Sequence, residues 1–261
     1  HPHLHRPHLH LALTPTSPSP PPRPHLDLAP AGEHLAVVGR SGAGKSTLLS
    51  GITRLLPLEN GSILIDGFES RAVPLPRWRA ALHCIPQEPL LLAGSVARNL
   101  DPSGVFSDDQ LWESLRLAGL QSLVRALPDQ LRCSLSLRGS GQLQLSCGQR
   151  QLLVLSRLLL HRHRARLVLL DEPAAGMEER ASSRLHGVIS ERLSHASLIA
   201  ITHRILPLVH LFTRLLAFDA GECVEDGSPS QLLHQEGSQL NFLFSQVVTP
   251  THPHTTPHIT A

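Results

Sequence analysis

The stretch GRSGAGKST, residues 39–47, constrains this chain more than any other, because it fits the pattern GxxxxGK[ST] at every fixed position. The apolar run HLAVV before it predicts a buried strand, and KSTLLS, which overlaps its end, predicts the first turns of a helix. A strand, a Gly-rich loop and a helix in that order form a phosphate cradle. Gly39, Gly42 and Gly44 lack side chains, so the backbone can wrap closely and aim its N–H groups inward, beside the positive helix end. The candidate site is the whole stretch: Gly39, Arg40, Ser41, Gly42, Ala43, Gly44, Lys45, Ser46 and Thr47. Lys45 is expected to reach the β- and γ-phosphates of a nucleotide. Ser46 has the hydroxyl position that ligates Mg²⁺.

At 261 residues the chain can bury a substantial core, and we expect one large domain with an insertion. The net charge of +2 and the scattered arginines do not imply a nucleic-acid partner. The four cysteines, Cys84, Cys133, Cys147 and Cys223, form no CxxC pair, so neither a zinc site nor a disulfide framework is suggested and a reducing cytosol fits. No apolar run approaches the ~18 residues that span a bilayer. The longest candidate, residues 152–160, is broken by Ser156 and Arg157. The chain starts at His1 without a charged-then-apolar leader, which suggests a fragment of something longer.

Residues 1–24 are rich in His and Pro and are expected to be flexible, as is the similar tail at 248–261. The turn signal Glu59-Asn60-Gly61 precedes an alternating strand over 62–66 that is expected to extend a sheet. Another apolar segment, LHCI, runs into Pro86-Gln87-Glu88-Pro89, whose prolines forbid a helix and place Gln87 on a loop as a candidate metal or water ligand. From 93 to 127 the pattern turns helical: Ser95 can cap residues 96–100, Asp101-Pro102 stops them, and Ser107 can cap an amphipathic run to Leu117. This predicts a small helical insertion, with Leu111, Leu115, Leu117 and Ala118 used in packing.

The segment LSCGQ, residues 145–149, leads directly into a helix over 150–161, so a hydroxyl and a glycine N–H stand at a helix N-terminus, which suits an anion. LVLLDE, residues 167–172, is a buried strand ending in two acids. Adjacent carboxylates there are costly unless they serve a cation and a proton transfer. Asp171 is expected to hold Mg²⁺, and Glu172 to orient and polarise a water. A strand over 197–202 delivers His203, and residues 214–219 with the turn Gly221-Glu222 predict a strand and its hairpin. These polar groups all leave one edge of one parallel sheet.

With those motifs in order, the chain resembles the nucleotide-binding domain of an ABC transporter over residues 26–247. By that resemblance GRSGAGKS is the Walker A motif, Gln87 the Q-loop glutamine, LSCGQ the signature, LVLLDE the Walker B strand and His203 the switch histidine. IPQEPLLLAGSVARNLDP, SCGQRQLL and AVVGRSGAGKST are similar to the second such domain of the multidrug-resistance-associated (C) subfamily. The resemblance implies an α/β P-loop core, mainly parallel with an antiparallel β edge, spanning residues 25–247 and carrying a helical subdomain over about 88–148. It implies ATP and Mg²⁺ as cofactors, with Gln87, Glu172 and His203 catalytic and Ser46, Gln87 and Asp171 around the metal. It further implies a head-to-tail pair with a second nucleotide-binding domain, in which Ser146, Gly148 and Gln149 contact ATP held by the partner. Transmembrane segments outside this chain would hold it at the cytoplasmic face of a membrane and choose the substrate.

The sequence departs from the family pattern at three places. Cys147 replaces a signature glycine, adding bulk where backbone should approach an anion, and Glu178 is one methylene longer than the usual Asp. The adenine-stacking aromatic is absent, with Thr14 nearest its place. These departures keep open a regulatory nucleotide sensor with little turnover. A soluble ABC ATPase is the other alternative.

Overall fold

Continuous apolar runs such as LVLLD and SLIAI cannot alternate between core and water, so they require a sheet covered on both faces. In the computed structural model, which describes residues 8–12, 26–30, 32–58, 62–65, 67–135, 145–202, 209, 211–235 and 238, they lie in such a sheet. The strands are β1 (His8–Ala12), β2 (Leu26–Pro30), β3 (His34–Gly39), β4 (Ser62–Ile65), β5 (Phe68–Glu69), β6 (Leu82–Ile85), β7 (Gly94–Ser95), β8 (Ser134–Leu135), β9 (Leu167–Asp171), β10 (Ser197–Ile201), β11 (Arg214–Asp219) and β12 (Glu222–Gly227). The helices are α1 (Lys45–Ile52), α2 (Leu75–Ala80), α3 (Val96–Leu100), α4 (Asp108–Ala118), α5 (Gln121–Arg125), α6 (Cys147–Leu160), α7 (Glu179–Arg192) and α8 (Pro229–His234).

The main sheet has the order β12-β11-β3-β10-β9-β6. Its strands β11, β3, β10, β9 and β6 are parallel, and β12 pairs antiparallel with β11 at the edge. Alternate residues feed two cores. One face sends Ala36, Val38, Val168, Leu170, Leu198 and Ala200 against a cluster that includes Leu115, Leu155 and Leu185 of α4, α6 and α7. The other sends Leu35, Val37, Leu167, Leu169, Ile199 and Ile201 against Leu49 and Ile52 of α1, Trp78 of α2 and Ile63 and Ile65 of β4.

The helical pattern expected over 93–127 forms α3, α4 and α5. Ser95 Oγ accepts from the Arg98 amide at the start of α3. Ser107 and Gln110 form a reciprocal capping box on α4, leaving two fewer helix-start donors unpaired. Leu111, Leu115 and Ala118 are buried, as packing residues should be.

The strand expected over 62–66 does extend a sheet: β4 joins an antiparallel one of order β2-β1-β4-β5, separate from the main sheet, because its alternating pattern suits a surface with one buried face. One expectation is corrected. Residues 8–12, placed by composition in a flexible segment, form β1 between β2 and β4. HLHLA alternates apolar and polar residues, and this period of two prevailed over the His/Pro-rich surroundings. The tail at 248–261 lies outside the described residues.

Candidate nucleotide site

The phosphate loop leaves β3 at Gly39, whose φ of +150° and contact with β11 both require glycine: a Cβ would sit 2.3 Å from the Phe218 carbonyl oxygen. Arg40 and Ser41 follow on the exposed arc, with Gly42 at φ +81° facing open space. The Ala43 amide donates to the Arg40 carbonyl at 3.2 Å, closing the turn. Ala43 is buried in the core below, and its carbonyl accepts from the Gly221 amide at 3.1 Å, so the β11–β12 hairpin braces the loop. Gly44 precedes α1 in left-handed geometry, which starts the helix without a side-chain cap. Lys45 Nζ bends back over this turn and donates to the carbonyls of Gly39 and Arg40, each at 2.8 Å. Ser46 and Thr47 are exposed on the first turn of α1.

Asp171 and Glu172 stand two strands away at the same sheet edge. Ile201 of β10 is in register with Val37 on one side and Asp171 on the other, so Val37 and Asp171 lie level, about 10 Å apart by two strand spacings, and β3 runs two residues further to Gly39. Burial raises the Asp171 carboxyl pKa, the adjacent Glu172 charge raises it further, and Lys45 lowers it. Glu172 has a φ of +47°, a left-handed conformation uncommon outside glycine, while its amide continues the ladder to the Ile201 carbonyl at 2.9 Å. A strained backbone at an acid ending a buried strand is an arrangement found at functional sites. Gln87 follows β6 on an exposed bend of the same edge. Ser46, Asp171 and Gln87 each offer a hard oxygen donor, of the kind that would suit Mg²⁺. A cation there would also relieve the crowding of the two carboxylates. His203, one residue past Thr202, and Thr14 lie outside the described residues.

The signature segment lies elsewhere. Ser146 is the N-cap of α6: its Oγ accepts from the Gln149 amide at 3.2 Å, while Gln149 Oε1 accepts from the Ser146 amide at 2.9 Å. The helix therefore begins at Cys147, three residues before the sequence places it, because the capping box starts it. Gly148 is buried against α7, where a Cβ would lie 3.1 Å from that of Ala181. Cys147 is half-buried at the start of α6, and its Sγ lies 3.8 Å from the Ala175 carbonyl, in the loop that follows Glu172. That orientation could be read only once the fold of the loop was known. A cleft of about 690 Å³ opens on the α7 side of Glu172, near His186 and Glu191, and none of residues 39–47 lines it.

Sequence reasoning passed over Gln151. It is fully buried in the second turn of α6, and its Nε2 donates to the carbonyls of Pro86 and Gln87 at 3.0 and 2.9 Å. Among the described residues its Oε1 is buried without a partner, a burden of ~1–3 kcal/mol that two ordinary hydrogen bonds only about offset. The available signal was a lone amide on the mainly apolar stripe of α6, where Ser156 is the other buried polar side chain.

A phosphate loop between strand and helix, with carboxylates closing a strand two places along a parallel sheet, defines a P-loop NTPase. Comparison with known proteins narrows this. The model of the ABC transporter family matches residues 25–175, and the chain belongs to that family as an ABC-type ATPase domain. It is 35% identical over 213 residues to ABC transporter C family member 2 of Dictyostelium discoideum, covering 82% of this chain and 15% of that protein. It is 38% identical over 208 residues to ATP-binding cassette sub-family C member 2 of Rattus norvegicus, covering 80% and 13%. The resemblance to the C subfamily thus extends across most of the chain, which spans only about a seventh of these relatives' length. In fold it is similar to a bacterial Atm1-family ABC exporter solved with ATP bound, with a TM-score of 0.79 and 24% identity, covering 95% of this chain and 43% of that one. Among the described residues no helix is long and apolar enough to cross a membrane.

Proposed function

We propose that this chain binds Mg-ATP between the 39–47 loop and the β9 carboxylates and hydrolyses it to ADP and phosphate. The observation that carries this reading is the shared register of β3 and β9 through β10, with Val37 level with Asp171, so that both strands run out at one sheet edge, Lys45 following the first and Asp171 and Glu172 closing the second. Lys45 and the α1 N-terminus supply the attraction for the phosphates. Mg²⁺, when held by Ser46, Asp171 and Gln87, neutralises phosphate charge. Glu172 accepts the proton of the attacking water, and His203 and Gln87 complete the site.

Ser146, Gly148 and Gln149 are assigned to ATP held by a second nucleotide-binding domain, paired head to tail. Closure of that pair drives substrate movement through transmembrane segments outside this chain, which hold it at the cytoplasmic face of a membrane.

Calorimetric titration tests the reading. Lys45→Ala should weaken Mg-ATP binding by ~10-fold or more, the worth of a charge-assisted hydrogen bond or two. Equal affinity in parent and variant would remove the loop from the mechanism. Phosphate release measured with a partner domain present separates turnover from a sensor that binds without hydrolysing.

A further inference from the structure

We propose that Gln151 is a positioning residue for Gln87, tying the signature helix to the metal end of the nucleotide site; this rests on the role given to Gln87 above. Pro86 and Gln87 contribute the carbonyls on either side of the Gln87 Cα, and Gln151 Nε2 donates one hydrogen to each. Holding both flanking peptide planes fixes the direction in which the Gln87 side chain leaves the backbone. A reversed amide would set its oxygen against two acceptors, so this orientation is the one that bonds.

Other residues hold the far end of the loop. Asn99 bonds both the amide and the carbonyl of Leu92, at 2.8 and 2.9 Å, and Arg157 Nη2 reaches the Leu90 carbonyl at 3.5 Å. Loss of Gln151 therefore releases the Gln87 end while residues 90–92 stay anchored. Pro86 and Pro89 have no N–H, so at those two positions the backbone has only its carbonyls to offer a tether. Because Gln151 lies one turn below Gly148 on the same helix, movement of the signature segment is transmitted to the Gln87 peptide.

The test uses the full chain with Gln151→Leu, which keeps much of the volume and removes the donors, and Gln151→Met as a second variant should the first fail to fold by circular dichroism. Without nucleotide, the amides of Gln87 and Glu88 should exchange several-fold faster than in the parent while those of 96–99 are unchanged. ATP affinity is then measured with Mg²⁺ and with chelator. Both Gln151→Leu and Gln87→Ala should lose the part of the affinity that depends on Mg²⁺ and keep the metal-free part, and the double variant should be no weaker than either single one. Unchanged exchange, or an equal loss with and without Mg²⁺, or additive losses in the double variant, would overturn the proposal. A parent that binds no ATP in either condition overturns the ATP reading itself, and the coupling with it. A parent that binds, with a Gln151→Leu variant indistinguishable from it, overturns only the link between Gln151 and Gln87.

Discussion

Asp171 shows how one residue can be held against its own stability. Burial first, and then the Glu172 charge, raise its carboxyl pKa above the ordinary 3.8. The folded chain therefore retains a proton at a pH where the unfolded chain has released it, and stability falls as pH rises from 3.8 through the raised value. Asp171→Asn abolishes this loss. Thermal unfolding without nucleotide should show a higher midpoint for the variant at pH 7, with the gap closing near pH 4. The same change should weaken Mg-ATP binding, because a neutral amide attracts a divalent cation less strongly than a carboxylate does. A variant less stable than the parent at pH 7 would show that Asp171 is instead a structural anchor. Glu172 tells a parallel story in its backbone, where the left-handed φ of +47° sets apart the acid that the sequence assigns to water.

At the scale of elements, helix starts decide much of the local geometry. Glu178 is the N-cap of α7, yet its side chain makes no capping hydrogen bond, since the extra methylene carries the carboxylate past the helix amides. Glu178→Asp should restore the cap and stabilise the chain by ~0.5–1 kcal/mol, read as a higher denaturant midpoint with unchanged slope. No gain would mean that the backbone there cannot present a cap. The phosphate loop, the β9 carboxylates and the Ser107 cap were legible because each rests on residues adjacent in the chain. Buried parallel strands announce themselves as unbroken apolar runs. What stayed hidden depends on distant partners. β1 pairs with β4 some fifty residues later, Cys147 turns toward a loop reached only after α6 and β9, and Gln151 meets Gln87 across 64 positions. No local pattern encodes such meetings.

For the whole molecule, one parallel sheet carries the phosphate loop, Gln87, Asp171 and Glu172 to the same edge, and two cores hold its faces. The upper core joins α3, α4, α6 and α7 to the sheet, so the signature helix and the loop of Gln87 share a single packed body. Chemistry on such a scaffold should separate from binding. Glu172→Gln keeps the shape of the side chain but cannot take a proton from water. With a second nucleotide-binding domain present, that variant should bind Mg-ATP as the parent does and release phosphate ~10²-fold more slowly or worse. Parent-like phosphate release by Glu172→Gln would contradict the account of this site as an ATPase whose base ends β9.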